Sequence, residues 1–341
     1  MAVLIFSTAT AMRAQSATSS PAQVQPATRE VTDDLDRKIR IPMNPSRIIS
    51  LAPSITETLY ALNLQDRLVG DTDFCEYPAA AKDKPKVGGP KNPSFEQIVA
   101  LRPDLVLVTK SLNTLETVNA LQTLGIPSYA QNATTVEEII ASTQKLADML
   151  GAGETGKALG QEIRERLDVV RAKLGDVVPT RVLFVVWTEP LMSVGQKTFI
   201  ADVLRKAGAV SIVDSEQDWP RVSLEEVART QPEYLVTSAT PHTGSGSHGL
   251  EDLTNLPGWR LLEAVKNHKF ALVNDVVTRP SPGIILAIEE LARQLHSNLF
   301  QEKMEPAKEN LPKSSKLKRP SESDGMLILQ STEKLEIICA R

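Results

Sequence analysis

Glu96 and Glu225 occupy matching places in two copies of one phrase. The first copy runs Ser94-Phe95-Glu96-Gln97, continues through Arg102-Pro103-Asp104, and ends in the apolar run Leu105 to Thr109. The second runs Ser223-Leu224-Glu225-Glu226, continues through Gln231-Pro232-Glu233, and ends in Tyr234 to Ser238. Each Ser opens a Ser-x-x-Gln/Glu capping box, which places each Glu at the second position of a helix. The helix dipole favours an acid there by about 0.3–1 kcal/mol, so stability alone could account for either residue. It does not account for the pairing. Two exposed carboxylates on two similar lobes suit docking to arginine pockets on a two-fold symmetric partner. The copies lie too far apart for a solenoid, whose period is about 20–50 residues.

A second group of residues suits ligand capture. Phe74, Tyr77, Trp187 and Trp219 lie in expected loops, where aromatic rings can line an apolar, concave pocket. Taken singly, each is more often partial core. Trp219 is the strongest candidate, because Asp218 and Pro220 frame it in a loop. It lies four residues before Ser223, as Pro90 lies four before Ser94. Arg279, in Asp275-Val276-Val277-Thr278-Arg279-Pro280-Ser281-Pro282, could meet a polar or anionic ligand group or simply be a solvated loop arginine.

Catalytic motifs find no support. The chain has no Gly-x-Gly-x-x-Gly after a strand, no Walker phosphate loop and no Gly-x-Ser-x-Gly elbow. Gly88-Gly89-Pro90 reads as a turn, and Pro90 would remove an N–H from a phosphate nest. His242 and His248 share one loop without a His or Cys third ligand, and read as solvated. Cys75 and Cys339 match no metal-ligand spacing, and no disulfide between them is expected. No metal, cofactor or enzymatic activity is expected.

The elements that must position these residues alternate short buried strands with amphipathic helices. Strands are expected at 47–51, 68–70, 105–108, near 128, at 181–186, near 212, at 234–237 and at 270–273. Helices are expected from Ser54, which with Glu57 forms a third capping box, and at 115–124, 135–150, 199–207, 256–265 and 283–299, besides those of the repeated phrase. In 154–175, Leu159, Ile163, Leu167, Val170 and Leu174 form one apolar stripe along a single long helix. This reads as an α/β protein with two Rossmann-like lobes on parallel sheets, joined by one long rigid helix. The expected divisions are a signal-like segment and disordered linker at 1–43, an N-terminal lobe at 44–152, the connecting helix at 153–176, a C-terminal lobe at 177–300, and a disordered tail at 301–341.

Composition agrees with a soluble globular chain: 341 residues, 41% hydrophobic, 23% charged, net charge -4. That balance gives no general attraction to nucleic acid or anionic membrane. No apolar run reaches the roughly 18 residues needed to cross a bilayer. Ala2 to Phe6 followed by small and polar residues resembles the end of a secretory signal peptide, with Ala14-Gln15-Ser16 as a cleavage site; a disordered N-terminus is the alternative.

Taken together, Arg47-Ile48-Ile49-Ser50-Leu51-Ala52-Pro53-Ser54-Ile55-Thr56-Glu57, Val87-Gly88-Gly89, both copies of the phrase, Asp218-Trp219-Pro220 and Arg279-Pro280-Ser281-Pro282 resemble the periplasmic binding proteins of iron-chelate and vitamin B12 importers. The resemblance covers about residues 44 to 300. It implies a monomeric, soluble periplasmic protein that captures a ligand and delivers it to an ABC permease dimer, with Glu96 and Glu225 docking on permease arginines. Within that family the vitamin B12 binders look most similar. Cobalamin or a related corrinoid would then be the transported ligand, not a cofactor. Phe74, Trp219 and the Asp275 to Arg279 loop would be its contacts. Pro90 stands where the resemblance implies an aromatic wall, which leaves haem, with Tyr77 as an axial group, or an iron-siderophore open as the ligand.

Overall fold

The computed structural model describes residues 27–239 and 252–301. Strands β1 (Thr28–Thr32) and β2 (Lys38–Pro42) pair as an antiparallel hairpin. This corrects the expected disordered linker, whose polar composition hid a short alternation. Ile41 is buried, and Val31 and Ile39 pack against the same apolar cluster. Asp33 closes the turn by accepting from the Leu35 and Arg37 amides, and the Asp34 N–H bonds the Ala130 carbonyl at 3.0 Å. The signal-like segment lies outside the described residues.

The first lobe continues with β3 (Ile48–Ser50), α1 (Pro53–Ala61), β4 (Leu68–Gly70), α2 (Phe95–Ala100), β5 (Leu105–Thr109), α3 (Leu115–Thr123), β6 (Ser128–Gln131) and α4 (Val136–Met149). Apart from that hairpin its strands form one parallel sheet, in the order β4-β3-β5-β6. β5 is buried along its whole length, as an inner strand covered on both faces must be. Pro53 at the first helical position starts α1, and no side chain caps it. The expected Ser54–Glu57 capping box is therefore absent, and Glu57 is buried instead.

Helix α5 (Gly153–Leu174) has 22 residues and runs about 33 Å at 1.5 Å per residue. Gly156 and Gly160 let it approach α4 closely, while Ile163, Leu167, Val170 and Leu174 are buried. Leu159 packs against the cores of both lobes. Arg166 joins α5 to the second lobe through a two-pronged pair with Glu289, each N–O distance 2.8 Å.

The second lobe comprises β7 (Thr180–Phe184), β8 (Trp187–Thr188), β9 (Leu191–Met192), α6 (Phe199–Lys206), β10 (Ala209–Ser211), α7 (Leu224–Thr230), β11 (Tyr234–Ser238), α8 (Glu263–Lys266), β12 (Phe270–Val273), α9 (Ile284–Leu295) and α10 (Ser297–Phe300). β8 and β9 form a small hairpin. The other four strands are parallel in the order β10-β7-β11-β12. Both sheets thus share one topology. The helix expected over 256–265 is broken, because Gly258 takes φ +86° after Pro257 and only α8 remains helical beyond a 3-10 turn. The last helix is interrupted at His296, whose ring bonds the Gly208 carbonyl at 3.0 Å.

The repeated phrase folds as one module in each lobe. Its ninth residue, Arg102 or Gln231, is left-handed in both, with φ of 45° and 49°. The acid after Pro donates its backbone N–H to the carbonyl of an arginine one strand away: Asp104 to Arg47 and Glu233 to Arg181, both at 2.8 Å. Its carboxylate accepts that arginine's N–H in return, at 2.9 Å for Arg47 and 3.0 Å for Arg181. The two guanidinium groups cap the carboxyl ends of α2 and α7, Arg47 on Leu101 and Arg102, and Arg181 on Thr230 and Gln231.

Candidate functional site

Loops at the carboxyl ends of parallel strands are where open α/β sheets present ligand-binding groups. After β4, Lys86 fastens one such loop, donating to Asp71 at 2.8 Å, the Ala81 carbonyl at 2.9 Å and the Cys75 carbonyl at 3.2 Å. Cys75 is buried between Thr56 and Thr72, each hydroxyl 3.2 Å from its Sγ, and burial pushes its thiol pKa up. Asp71 is fully buried, which pushes its carboxyl up to about 6 against the pull of Lys86. Anchored this way, the loop holds Phe74 and Tyr77 outward, 65% and 59% exposed. A Cβ on Gly89 would lie 3.6 Å from the Phe74 ring, so Phe74 borders the Gly89-Pro90 turn. Asn113 pins that turn to the end of β3, donating to the carbonyls of Pro90 at 2.8 Å and Leu51 at 3.0 Å.

In the second lobe, Trp187 is half-buried on β8, its Nε1–H donating to the Glu189 carbonyl at 2.8 Å. The loop carrying Trp219 lies along β9 and the residues after it. Ser193 donates to the Pro220 carbonyl at 3.1 Å and Gly195 to the Asp218 carbonyl at 3.0 Å. Only glycine allows that approach, since a Cβ on residue 195 would lie 1.8 Å from the Gln217 oxygen. Trp219 is 45% exposed. The structure therefore groups Phe74 and Pro90 in one lobe, and Trp187 and Trp219 in the other. A separate cavity of about 410 Å³ lies wholly in the second lobe, behind Glu189 and Pro190 and before Leu224 and Trp259, and contains none of the expected ligand residues.

The Asp275–Thr278 segment is a 3-10 turn. Val276 and Val277 are 5% and 0% exposed and belong to the second lobe's core, which corrects their assignment as ligand contacts. Their apolar side chains fill the space beside α9. Asp275 and Thr278 are half-buried, and the Thr278 hydroxyl bonds the Asp275 carbonyl at 2.8 Å. Arg279 is not a solvated loop arginine. Its Nε meets the Glu57 carboxylate of the first lobe in an ion pair without the alignment of a hydrogen bond. Ser281 donates to the other Glu57 oxygen at 2.6 Å. Burial raises the Glu57 pKa, while Arg279 and Ser281 pull it back. Glu57 thus joins the two lobes through Arg279 and Ser281, a contact that the sequence reading missed. Its one signal was a Ser-x-x-Glu spacing that fitted a helix cap.

Glu96 and Glu225 are exposed in the first turns of α2 and α7. Ser94 Oγ accepts from Gln97 N at 3.3 Å and Ser223 Oγ from Glu226 N at 3.4 Å, so the caps form as expected. Among the described residues neither Glu96 nor Glu225 enters an ion pair, whereas the adjacent Glu226 reaches Arg229 at 3.8 Å. Also among the described residues, no group of His, Cys, Asp and Glu is arranged to hold a metal ion, and no helix is long and apolar enough to cross a membrane. The expected loop histidines His242 and His248 lie outside the described residues.

Residues 48–276 match the family model described as periplasmic binding protein. The chain belongs to that family. A vitamin B12-binding protein of Yersinia pestis is 31% identical over 252 residues, 74% of this chain and 86% of the relative. The solved vitamin B12-binding protein BtuF of Vibrio cholerae matches with a TM-score of 0.65 and 28% identity, over 76% of this chain and all of that one. The periplasmic haem-binding protein BhuT, solved with two haems, matches with a TM-score of 0.67 and 27% identity, over 74% of this chain and 98% of that one. These relatives are binding proteins, not enzymes, and what they hold is ligand, not cofactor.

Proposed function

We propose that this chain is the ligand-binding component of an ABC importer, working in the periplasm as a soluble monomer. It captures cobalamin or a related corrinoid between the two lobes and delivers it to a dimeric permease. The observation that carries the ligand class is the pair of exposed aromatic groups, Phe74 with Tyr77 and Trp219, on strand-end loops of the two lobes. Such rings offer flat apolar faces to a macrocycle. The named relatives that bind vitamin B12 support the corrinoid within that class. Pro90 offers no ring, but Phe74, in the neighbouring loop beside Gly89, supplies an aromatic face next to that turn. Glu96 and Glu225, exposed on equivalent helices, are the docking acids for permease arginines. Titration with cyanocobalamin should quench tryptophan fluorescence with a 1:1 endpoint; an unchanged signal sinks the corrinoid reading. Glu96→Ala with Glu225→Ala should abolish uptake and leave ligand affinity intact, and lost ligand binding would refute the docking role.

The second reading is haem. The similarity to BhuT favours it, as does the exposed phenol of Tyr77. A Soret shift with haem, and no response to cyanocobalamin, would select it.

A further inference from the structure

We infer that Glu57 sets the charge of the ligand site: it holds Arg279 as a neutralised hydrogen-bond donor, so that end of the cleft selects an uncharged acceptor over a carboxylate. The inference rests on the proposed function, with Arg279, and not the core valines Val276 and Val277, reaching the ligand. Glu57 lies on α1 of the first lobe, 6% exposed, and both of its carboxylate oxygens are engaged from the second lobe, one by Arg279 and one by Ser281. Ser281 is fully buried, so the clasp is part of the packed floor between the lobes. Arg279 spends its Nε on the pair. Its two Nη groups make no hydrogen bond among the described residues, and its side chain stays 24% exposed. Those groups can donate to a ligand, but the local charge is already balanced. A carboxylate approaching them meets the nearby Glu57 anion, whose repulsion offsets the attraction of Arg279. An amide carbonyl takes the same hydrogen bonds without that cost. Helix capping requires none of this, because Pro53 and Ala52 already begin α1 without Glu57.

Two probes differ in the relevant chemistry: cyanocobalamin, with amides around its ring, and haem, with two carboxylates on one edge. The wild-type protein should bind cyanocobalamin more tightly. Glu57→Gln keeps the shape and the acceptor for Ser281 but removes the anion, and should raise haem affinity about tenfold or more while changing cyanocobalamin affinity far less. Glu57→Asp, which keeps the charge, should retain the wild-type preference. The double variant Glu57→Gln with Arg279→Gln should lose the haem gain, showing that the effect acts through Arg279. Thermal melts establish that each variant is folded. Unchanged or weaker haem binding by a folded Glu57→Gln protein overturns the inference and leaves the transport proposal standing. A wild-type protein that binds neither probe overturns that proposal and this inference with it.

Discussion

Replacing Gly156 and Gly160 by alanine, one at a time, should give different effects, with Gly156→Ala the more destabilising, although both lie in α5. Alanine gains about 1 kcal/mol over glycine in a helix, and this term is common to the two sites. The surroundings differ. A Cβ on residue 156 would lie 2.5 Å from the Cβ of Ala147 on α4, and that atom cannot rotate away because it sits directly on the backbone. Relief requires α4 and α5 to separate, and overpacking of this kind costs about 1–3 kcal/mol. Gly156→Ala should therefore destabilise by roughly 0–2 kcal/mol net. A Cβ on residue 160 would lie 3.1 Å from Ile140 Cγ2, a methyl that can shift a few tenths of an ångström. Gly160→Ala should be neutral or stabilising by up to about 1 kcal/mol. Urea unfolding of both variants at matched m-values gives the difference directly. Equal effects at the two positions would refute the argument that direct contact between α4 and α5 controls this seam.

Other expectations follow from single contacts. The Asp71 carboxyl is raised to about 6 in the fold, so its contribution to stability is present below the unfolded value near 3.8 and is lost as pH rises through 6. Asp71→Asn should accordingly gain on the wild type by about 3 kcal/mol or less between pH 3.5 and pH 7, and a pH-independent difference would count against the burial effect. Glu289 has the opposite sign, because the hydrogen bond from Arg166 lowers its pKa. Arg166→Met should cost about 1 kcal/mol at neutral pH, and that cost should shrink as pH falls below the ordinary Glu range. Gly195→Ala must push the Trp219 loop off its bed, so cyanocobalamin affinity should drop about tenfold or more in a protein that still folds; unchanged affinity would separate Trp219 from the ligand.

Much of the fold was legible because it rests on periodicity. The stripe from Leu159 to Leu174 and the alternation of strands with helices are local patterns, and both sheets follow them. The hairpin of β1 and β2 was not legible. Its exposed residues are polar, and what fixes it is long-range: Asp34 and Arg37 reach the backbone of Ala130 and Ser128. The division of the Asp275 to Arg279 segment was equally hidden. A run such as Asp-Val-Val-Thr does not reveal whether its valines face ligand or core, and here α9 covers them. Glu57 was misread for a related reason. A nearby Ser offered a sufficient local explanation, whereas its actual partners lie more than two hundred residues downstream.

The repeated phrase acquires a physical meaning from the module built around it. In both lobes an arginine at the start of the first sheet strand grips the end of the helix and is bonded in return by the acid after Pro. These contacts, with the left-handed ninth residue, fix the helix relative to its sheet, so the first turn and its acid emerge at equivalent places. The loops that precede the helices take no part in the module and are free to diverge, as Pro90 and Trp219 do. Under the proposed docking, a two-fold permease would grip the lobes through the part of the phrase that stays constant. An asymmetric ligand would be held by the part that varies. α5, packed on α4 and paired with α9, ties the two lobes together, as does the clasp of Glu57 with Arg279 and Ser281.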